Sequence, residues 1–372
     1  MKTAPVRRIC FVNGTRFWGG GEKWHFDTAV YLAEQGHRVW CMAHPNGILF
    51  QRLEATAVER RALTITNTSF FNPAKMCHLS HFFRSNRIQT VVFNGSAEMK
   101  LAAPAAAAAG VPARVYRRGL ALPVKGGVLN RFMFRRMVTH FLANSHHTAD
   151  TLFQHLPRPS ARGRVKIIYN GVDMRRFSPP AQRPDALDAQ RPLVLGTAGR
   201  LVDQKGHAYL IEMAARLKEE NLPFTVLIAG DGPLAPAIEE QIKARGLQNE
   251  VLLLGFVKDT ASLMQQLDIF ILPSLWEGFG FAMVEAMASA LPVIAFDLTS
   301  NPEIVEHGRT GLLVAPKQPM ALAAAVTTLA KDPALRRQMG EAGRQRAAER
   351  FDRGKQMKKV EAYLCSEITD GM

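Results

Sequence analysis

The sequence predicts an α/β protein built from two Rossmann-like domains, each a parallel sheet with helices between its strands. Three observations carry this. Short apolar runs alternate with helical stretches; a proline-rich segment, residues 177–192, interrupts the alternation, which then restarts; and 372 residues are enough for two independent cores. In the first half the runs are "RRICFVNG", "RVWCMA", "TVVFNG", "ARVYRRG", "HFLANS" and "VKIIYNG", with helical stretches such as "GEKWHFDTAVYLAEQGH" between them. In the second half they are "LVLGTAGR", "FTVLIAGDG", "VLLLGF", "IFILPS", "PVIAF" and "GLLV". Strand followed by helix followed by strand is the rhythm of a parallel sheet.

Open sheets of this kind bind ligands beyond the carboxyl ends of their strands, so the turns there were read for chemistry. "GTRFWGGGEKW" follows the first strand, and Gly19, Gly20 and Gly21 offer unencumbered amides at the start of a helix. "TAGRLVDQKG" follows the first strand of the second half and puts Arg200 and Lys205 where phosphates would lie. Charge-assisted contacts of that kind contribute roughly 1.5 to 3 kcal/mol each, although a surface loop with solvated charges fits this pair equally when taken alone. In "SLWEGFGFAMVEAMASALPVI", residues 274–294, the spacing of Phe281, Val284, Met287 and Ala288 predicts a helix that Leu291-Pro292 stops. Gly278 and Gly280 flank Phe279 just ahead of it, Glu277 lies on that loop, and Glu285 sits one turn inside the helix. Two acids beside helix amides suit a ligand with both phosphate and hydroxyl groups, such as a nucleotide-sugar. The same spacing also fits a helix cap followed by a solvated surface acid.

Charge separates the two halves. The net charge is +15, but residues 1–185 hold 27 Lys and Arg against 9 Asp and Glu, while residues 186–372 hold 20 against 23. No acid occurs between Glu98 and Asp150, a stretch containing Lys100, Arg114, Arg117, Arg118, Lys125, Arg131, Arg135 and Arg136. Such a field attracts an anionic partner: an acidic membrane, a phosphorylated glycolipid or nucleic acid. Phe134, Met137, Val138, Phe141 and Leu142 recur as a helical stripe and read as core. Arg131, Arg135 and Arg136 lie away from it and, with Phe132 and "LPVKGG", could rest against anionic headgroups at ~1 kcal/mol per base. Nucleic acid is the weaker reading, since there is no series of alternating aromatics.

Several classes are disfavoured. The N-terminus lacks the apolar run of a signal peptide, and "LAAPAAAAAGVPA" is too short to span a bilayer, so a soluble cytoplasmic protein is expected. Cys10, Cys41, Cys77 and Cys365 form no C-x-x-C, consistent with a reducing compartment. There is no G-x-G-x-x-G, no phosphate-binding G-x-x-x-x-G-K-[ST] and no D-x-D for a metal-bridged diphosphate. "CHLSH", Cys77 to His81, has no further ligands at a supporting spacing for a metal.

Taken in order, "GGGEKW", "ANS", "IIYNGVDMRRFSP", "GRLVDQKG", "IAGDGPL", "GF" and "PSLWEGFGFAMVEAMASALPVIAFDLTSNPEIVEHGRTGLLV" resemble the retaining nucleotide-sugar glycosyltransferases of the GT-B fold, family 4 and group 1. That group includes bacterial glycogen synthases, phosphatidylinositol mannosyltransferases and lipopolysaccharide-core glucosyltransferases. The resemblance implies an α/β GT-B architecture, two Rossmann-like domains facing each other across a deep cleft. Residues 1–180 would bind acceptor, residues 190–351 would bind donor, and a C-terminal helix, 352–372, would return to the first domain. Arg200 and Lys205 would hold the donor diphosphate and Glu285 the ribose hydroxyls. Glu277, with the amides of Gly278, Phe279 and Gly280, would face the transferred sugar, and Gly20 and Gly21 would close on the donor. "YNGVD", Asn170 to Asp173, would begin the hinge.

The implied reaction moves a hexosyl group from a nucleoside-diphosphate sugar to a cell-surface glycan or glycolipid, such as lipopolysaccharide or another lipid-linked saccharide, at the inner face of the membrane. Arg200, Lys205 and helix amides would meet the leaving charge with no metal or other cofactor. Many relatives carry a histidine near the strand that here reads "RVYRRGLALP"; Arg118 stands at that position. Arg117 or Arg118 would then meet an acidic acceptor, or His25, His146 or His147 would substitute. Arg117, Arg118, Lys125, Arg131 and Arg135 are thus the candidate acceptor or membrane residues. The alternatives are a GT-B-fold epimerase or phosphorylase, and a non-catalytic glycan- or nucleic-acid-binding protein.

Overall fold

A computed structural model describes residues 5–159, 164–180 and 191–368. The chain divides into two compact units, Met1–Asn170 together with Gln356–Met372, and Gly171–Lys355. The first holds seven parallel strands: β1 Arg8–Asn13, β2 Arg38–Ala43, β3 Glu59–Ala62, β4 Thr90–Phe93, β5 Ala113–Arg118, β6 His140–Ala143 and β7 Val165–Ile167. Their order across the sheet is β3-β2-β1-β4-β5-β6-β7. The second holds six: β8 Leu193–Ala198, β9 Phe224–Ala229, β10 Val251–Gly255, β11 Ile269–Leu272, β12 Val293–Phe296 and β13 Gly311–Val314, in the order β10-β9-β8-β11-β12-β13.

Continuous apolar strands form because helices cover both faces. Ile9 and Phe11 of β1 pack into one core and Cys10 and Val12 into the other, all four fully buried. Sheet growth reverses direction between β1 and β4 and again between β8 and β11. These are the switch points, where adjacent turns at the carboxyl ends diverge and leave a crevice.

Twelve of the described strands coincide with the apolar runs of the sequence. The exception is β3, "ERRA", an edge strand with Glu59 and Arg61 exposed, whose charges guard an unpaired edge and hide it from an apolar search. The stripe from Phe134 to Leu142 is also corrected. Helix Val128–Phe132 runs into a π-turn, Met133–Met137, closed by Val138 N donating to Met133 O at 2.9 Å, while Phe141 and Leu142 belong to β6. A helical period had been read across a helix-to-strand boundary; the residues other than Met137 are buried, but on two elements.

The junction between the units falls at Asn170 and Gly171, ahead of the proline-rich segment expected as a linker, of which residues 181–190 lie outside the described residues. Val172 N donates to Phe351 O at 2.9 Å and Arg353 N to Val172 O at 3.0 Å, so the outgoing and returning passages of the chain are hydrogen-bonded side by side. From Gln356 the chain joins the first unit. Val360, Tyr363, Leu364, Cys365 and Ile368 share a core with Ile9, Phe11 and Leu32, and Tyr31 donates to Glu361 Oε2 at 2.9 Å. Among the described residues, no helix is long and apolar enough to cross a membrane.

Candidate functional site

In the second unit the loops after β8 and β11 meet at the switch point. Gly206 is left-handed, φ +66°, and a Cβ there would lie 2.1 Å from Pro273 O, so only glycine permits the approach. Leu275 N donates to Gln204 O and Gln204 Nε2 to Trp276 O, each at 2.7 Å. This stitching brings Lys205 Nζ to 2.6 Å from Glu277 Oε1, with the two side chains only 18% and 8% exposed. The Lys205 stem crosses Gly199, where a Cβ would stand 3.1 Å from Cε. Glu277 is fixed through its backbone, its N donating to Thr299 Oγ1 and its O accepting from Ser300 Oγ, both at 3.1 Å.

Gly280, φ +71°, opens helix Phe281–Ala288 and leaves room for Met283, whose Cε would be 2.4 Å from a Cβ. Glu285 is half-buried one turn inside, and Arg200 is exposed on the loop after β8. The Phe279 ring packs edge-on against Phe281 and Phe351, with centroids 5.4 and 5.6 Å away; it serves the core while the chain bends at the glycines beside it. His207 starts the helix after Gly206, and burial, with Lys205 nearby, pushes its pKa down to about 4, so Lys205 and Arg200 are the cations of this turn at neutral pH. Two cations, a buried carboxylate and a second carboxylate at a helix start can meet phosphate and sugar hydroxyls together.

In the first unit, Gly20 and Gly21 begin helix Gly20–Glu34, and Gly21 is explained by its neighbour: a Cβ there would lie 2.4 Å from Asn94 Nδ2. Asn94 Oδ1 accepts from Arg117 Nη1 at 3.3 Å, Asn170 Oδ1 accepts from Arg117 Nη2 at 3.1 Å, and the guanidinium lies 4.7 Å over the Trp24 ring. Arg117 is 2% exposed, so it is corrected from an acceptor- or membrane-facing residue to a buried one that ties β4 and β5 to the end of the unit. Burial pushes its pKa down to about 10 against the pull of Glu22. His25 is fully buried, with Nδ1 3.3 Å from Asn13 Nδ2, and burial with Arg117 nearby lowers its pKa to about 3. It is a neutral core imidazole. Asn13 also donates to Glu22 Oε1 at 3.3 Å, and Gly14 N donates to Glu98 Oε1 at 2.9 Å, while burial raises the Glu98 pKa.

The remaining basic candidates divide. Arg118 is half-buried and donates to Leu122 O at 2.8 Å, whereas Lys125, Arg131 and Arg135 are exposed. His146 and His147 begin helix His146–Leu152. Sequence reasoning passed over Asn13, Glu22, Asn94, Glu98 and Asn170. A signal was present: "FVNG", "VFNG", "LANS" and "IYNG" repeat an asparagine before Gly or Ser just past a strand, where Asn satisfies open backbone groups in turns.

Two parallel-sheet units, each with glycine-bearing turns at its switch point, define the α/β GT-B fold. Residues 180–346 match the model of the glycosyl transferases group 1, and residues 18–176 match that of glycosyltransferase family 4. The chain belongs to this family of GT-B glycosyltransferases. It is similar to the UDP-Gal:alpha-D-GlcNAc-diphosphoundecaprenol alpha-1,3-galactosyltransferase of Escherichia coli, 33% identical over 159 residues, 41% of each chain. It is also similar to the lipopolysaccharide core biosynthesis mannosyltransferase LpcC of Rhizobium leguminosarum bv. viciae, 33% identical over 184 residues, 47% of this chain and 52% of that one. The matches to such curated relatives span about two fifths to one half of their length. Anabaena HepE, solved in complex with UDP and glucose, has the same fold, with a TM-score of 0.81 over 97% of this chain and 100% of that one at 23% identity.

Proposed function

We propose that this protein is a retaining glycosyltransferase that moves a hexosyl group from a nucleoside-diphosphate sugar to a glycan or glycolipid acceptor. The observation that carries the reading is the Lys205–Glu277 pair, held at 2.6 Å by two stitched loops at the switch point. As the glycosidic bond breaks, the departing diphosphate gains negative charge; Arg200 and Lys205 take up that charge, and Glu277, released from Lys205, accepts hydrogen bonds from the sugar. Glu285 holds the ribose hydroxyls. This assignment needs no metal or other cofactor, because two cations already stand where the charge develops.

The donor part is supported by the UDP and glucose of the HepE complex. The acceptor part is supported by the diphosphoundecaprenol and lipopolysaccharide-core acceptors in the relatives' names, and by the basic first unit. A lipid-linked or acidic saccharide at the cytoplasmic face of the membrane fits both. Thermal melts with UDP, ADP, GDP, CMP and common nucleotide-sugars, in chelator, test the donor site. A ligand at about 100 times its Kd adds ~2.7 kcal/mol and several degrees to the transition. One nucleotide is expected to shift the melt, and Glu285→Ala to abolish the shift. No shift with any nucleotide, or a shift unchanged in Glu285→Ala, overturns the assignment.

A further inference from the structure

Helix Val128–Phe132 presents a face that the core does not use. Val128 is 86% exposed and Phe132 47%, and Arg131 and Arg135 are exposed with them, at i, i+3, i+4 and i+7 from Val128. Asn130, Met133 and Phe134 point into the unit. Leu120 and Leu122 are exposed on the preceding loop, beside an exposed Lys125. Arg131 and Arg135 are like charges one turn apart, which is unfavourable on a helix, and neither is in an ion pair among the described residues. Arg131 is held in place by donating from Nε to Gly126 O at 2.8 Å. Both arginines, with Gln154, His155, Leu156 and Pro157, line a depression of about 480 Å³ that has no acidic residue in its wall.

We propose that this face docks on an anionic lipid bilayer, with the phosphate of a lipid headgroup received between Arg131 and Arg135. The inference rests on the glycolipid-acceptor reading above and names the surface that would bring the enzyme to it. Cations alone would suit any polyanion. Here they alternate with exposed aliphatic and aromatic side chains, and that combination matches an interface where apolar groups enter the acyl boundary while cations stay among the headgroups. A nucleic acid would have no use for Val128, Leu120 and Leu122.

Flotation of the full chain with vesicles of phosphatidylcholine, alone or mixed with phosphatidylglycerol, tests it. Binding is expected only to the anionic vesicles and to weaken as salt rises. Arg131→Glu with Arg135→Glu should reduce the vesicle partition at least thirtyfold, and Val128→Ser with Phe132→Ser several-fold. Both variants should keep the nucleotide-induced melting shift of the wild type, so a failed docking surface and a failed donor assignment register separately. Equal binding to neutral vesicles, or unchanged binding after charge reversal, overturns the proposal. So does a charge-reversal loss with no effect of the serine pair, together with competition by inorganic phosphate, which would make the depression a simple anion site. Preference for single-stranded RNA over anionic vesicles would also overturn it.

Discussion

Replacing Glu277 by glutamine isolates what the Lys205 pair does. The amide keeps the size of the side chain and leaves the backbone bonds to Thr299 and Ser300 in place, so the loop keeps its path. What is lost is a charge-assisted bond at 2.6 Å between two largely buried groups. Bonds to charged groups contribute about 1.5 to 3 kcal/mol net, and for a unit of this size each kcal/mol moves Tm by about 2 to 4 °C. The melt of the unit should therefore fall by roughly 3 to 12 °C. Nucleotide affinity should move the other way. Lys205 no longer has a carboxylate to leave before it meets phosphate, so calorimetric titration should show binding as tight as in the wild type or up to about tenfold tighter. Transfer from the sugar nucleotide should drop by roughly 10² to 10³, the usual effect of losing a single polar group that acts in the transition state. Binding that weakens in step with turnover would refute the reasoning, because Glu277 would then be a brace for the phosphate site and nothing more.

Other outcomes follow from the same geometry. Gly206→Ala puts a Cβ into Pro273 O at a left-handed backbone, so a loss of at least ~2 kcal/mol in urea unfolding is expected, along with the nucleotide shift; an unaltered midpoint contradicts it. Arg117→Met should cost about 3 to 5 kcal/mol, since it strips a buried cation from Asn94 and Asn170 and leaves Glu22 without its charge, and Arg117→Lys should recover part of that. Equal stability of wild type and Arg117→Met would remove the buried-tie assignment. His25, His207 and His140 are pushed down to about 3, 4 and 4, chiefly by burial, so the unfolded chain binds their protons more readily. Stability should be intact above the ordinary histidine pKa of about 6.5 and be lost as pH falls from there toward 3, by up to ~1.4 kcal/mol per unit per histidine. A Tm that is flat or rising between about pH 7 and pH 5 would be inconsistent with neutral buried imidazoles.

Strand identity was legible wherever burial on both faces demanded an unbroken apolar run, as in "CFV" of β1 or "IFIL" of β11. It was illegible at β3, where an edge position favours charge, and around Phe134, where two elements of different period abut. The second-unit site was readable because its glycines, cations and acids lie close together in sequence on two loops. Its central contact was not, since 72 residues separate Lys205 from Glu277 and only the Gln204 bridges set their register. The first-unit cluster was harder still. Its parts come from the ends of β1, β4 and β5 and from Asn170, and each is an ordinary polar residue until the sheet gathers them. Arg117 and Arg118 look interchangeable in sequence, yet the strand's alternation turns one inward to Trp24 and the other toward the Leu122 carbonyl.

The route of the last segment sets the order in which the molecule can be completed during synthesis. Residues 171–355 are contiguous, so the second unit has all its strands as soon as they leave the ribosome. The first unit emerges earlier but waits: Tyr363, Leu364 and Ile368 cover Ile9, Phe11 and Leu32, and Thr90 reaches Leu364 O at 3.3 Å. Until the final helix arrives, one apolar face of its sheet stays open to water and to other chains. The half made first is therefore finished last, and premature termination near residue 355 would leave a closed second unit joined to an uncovered first one.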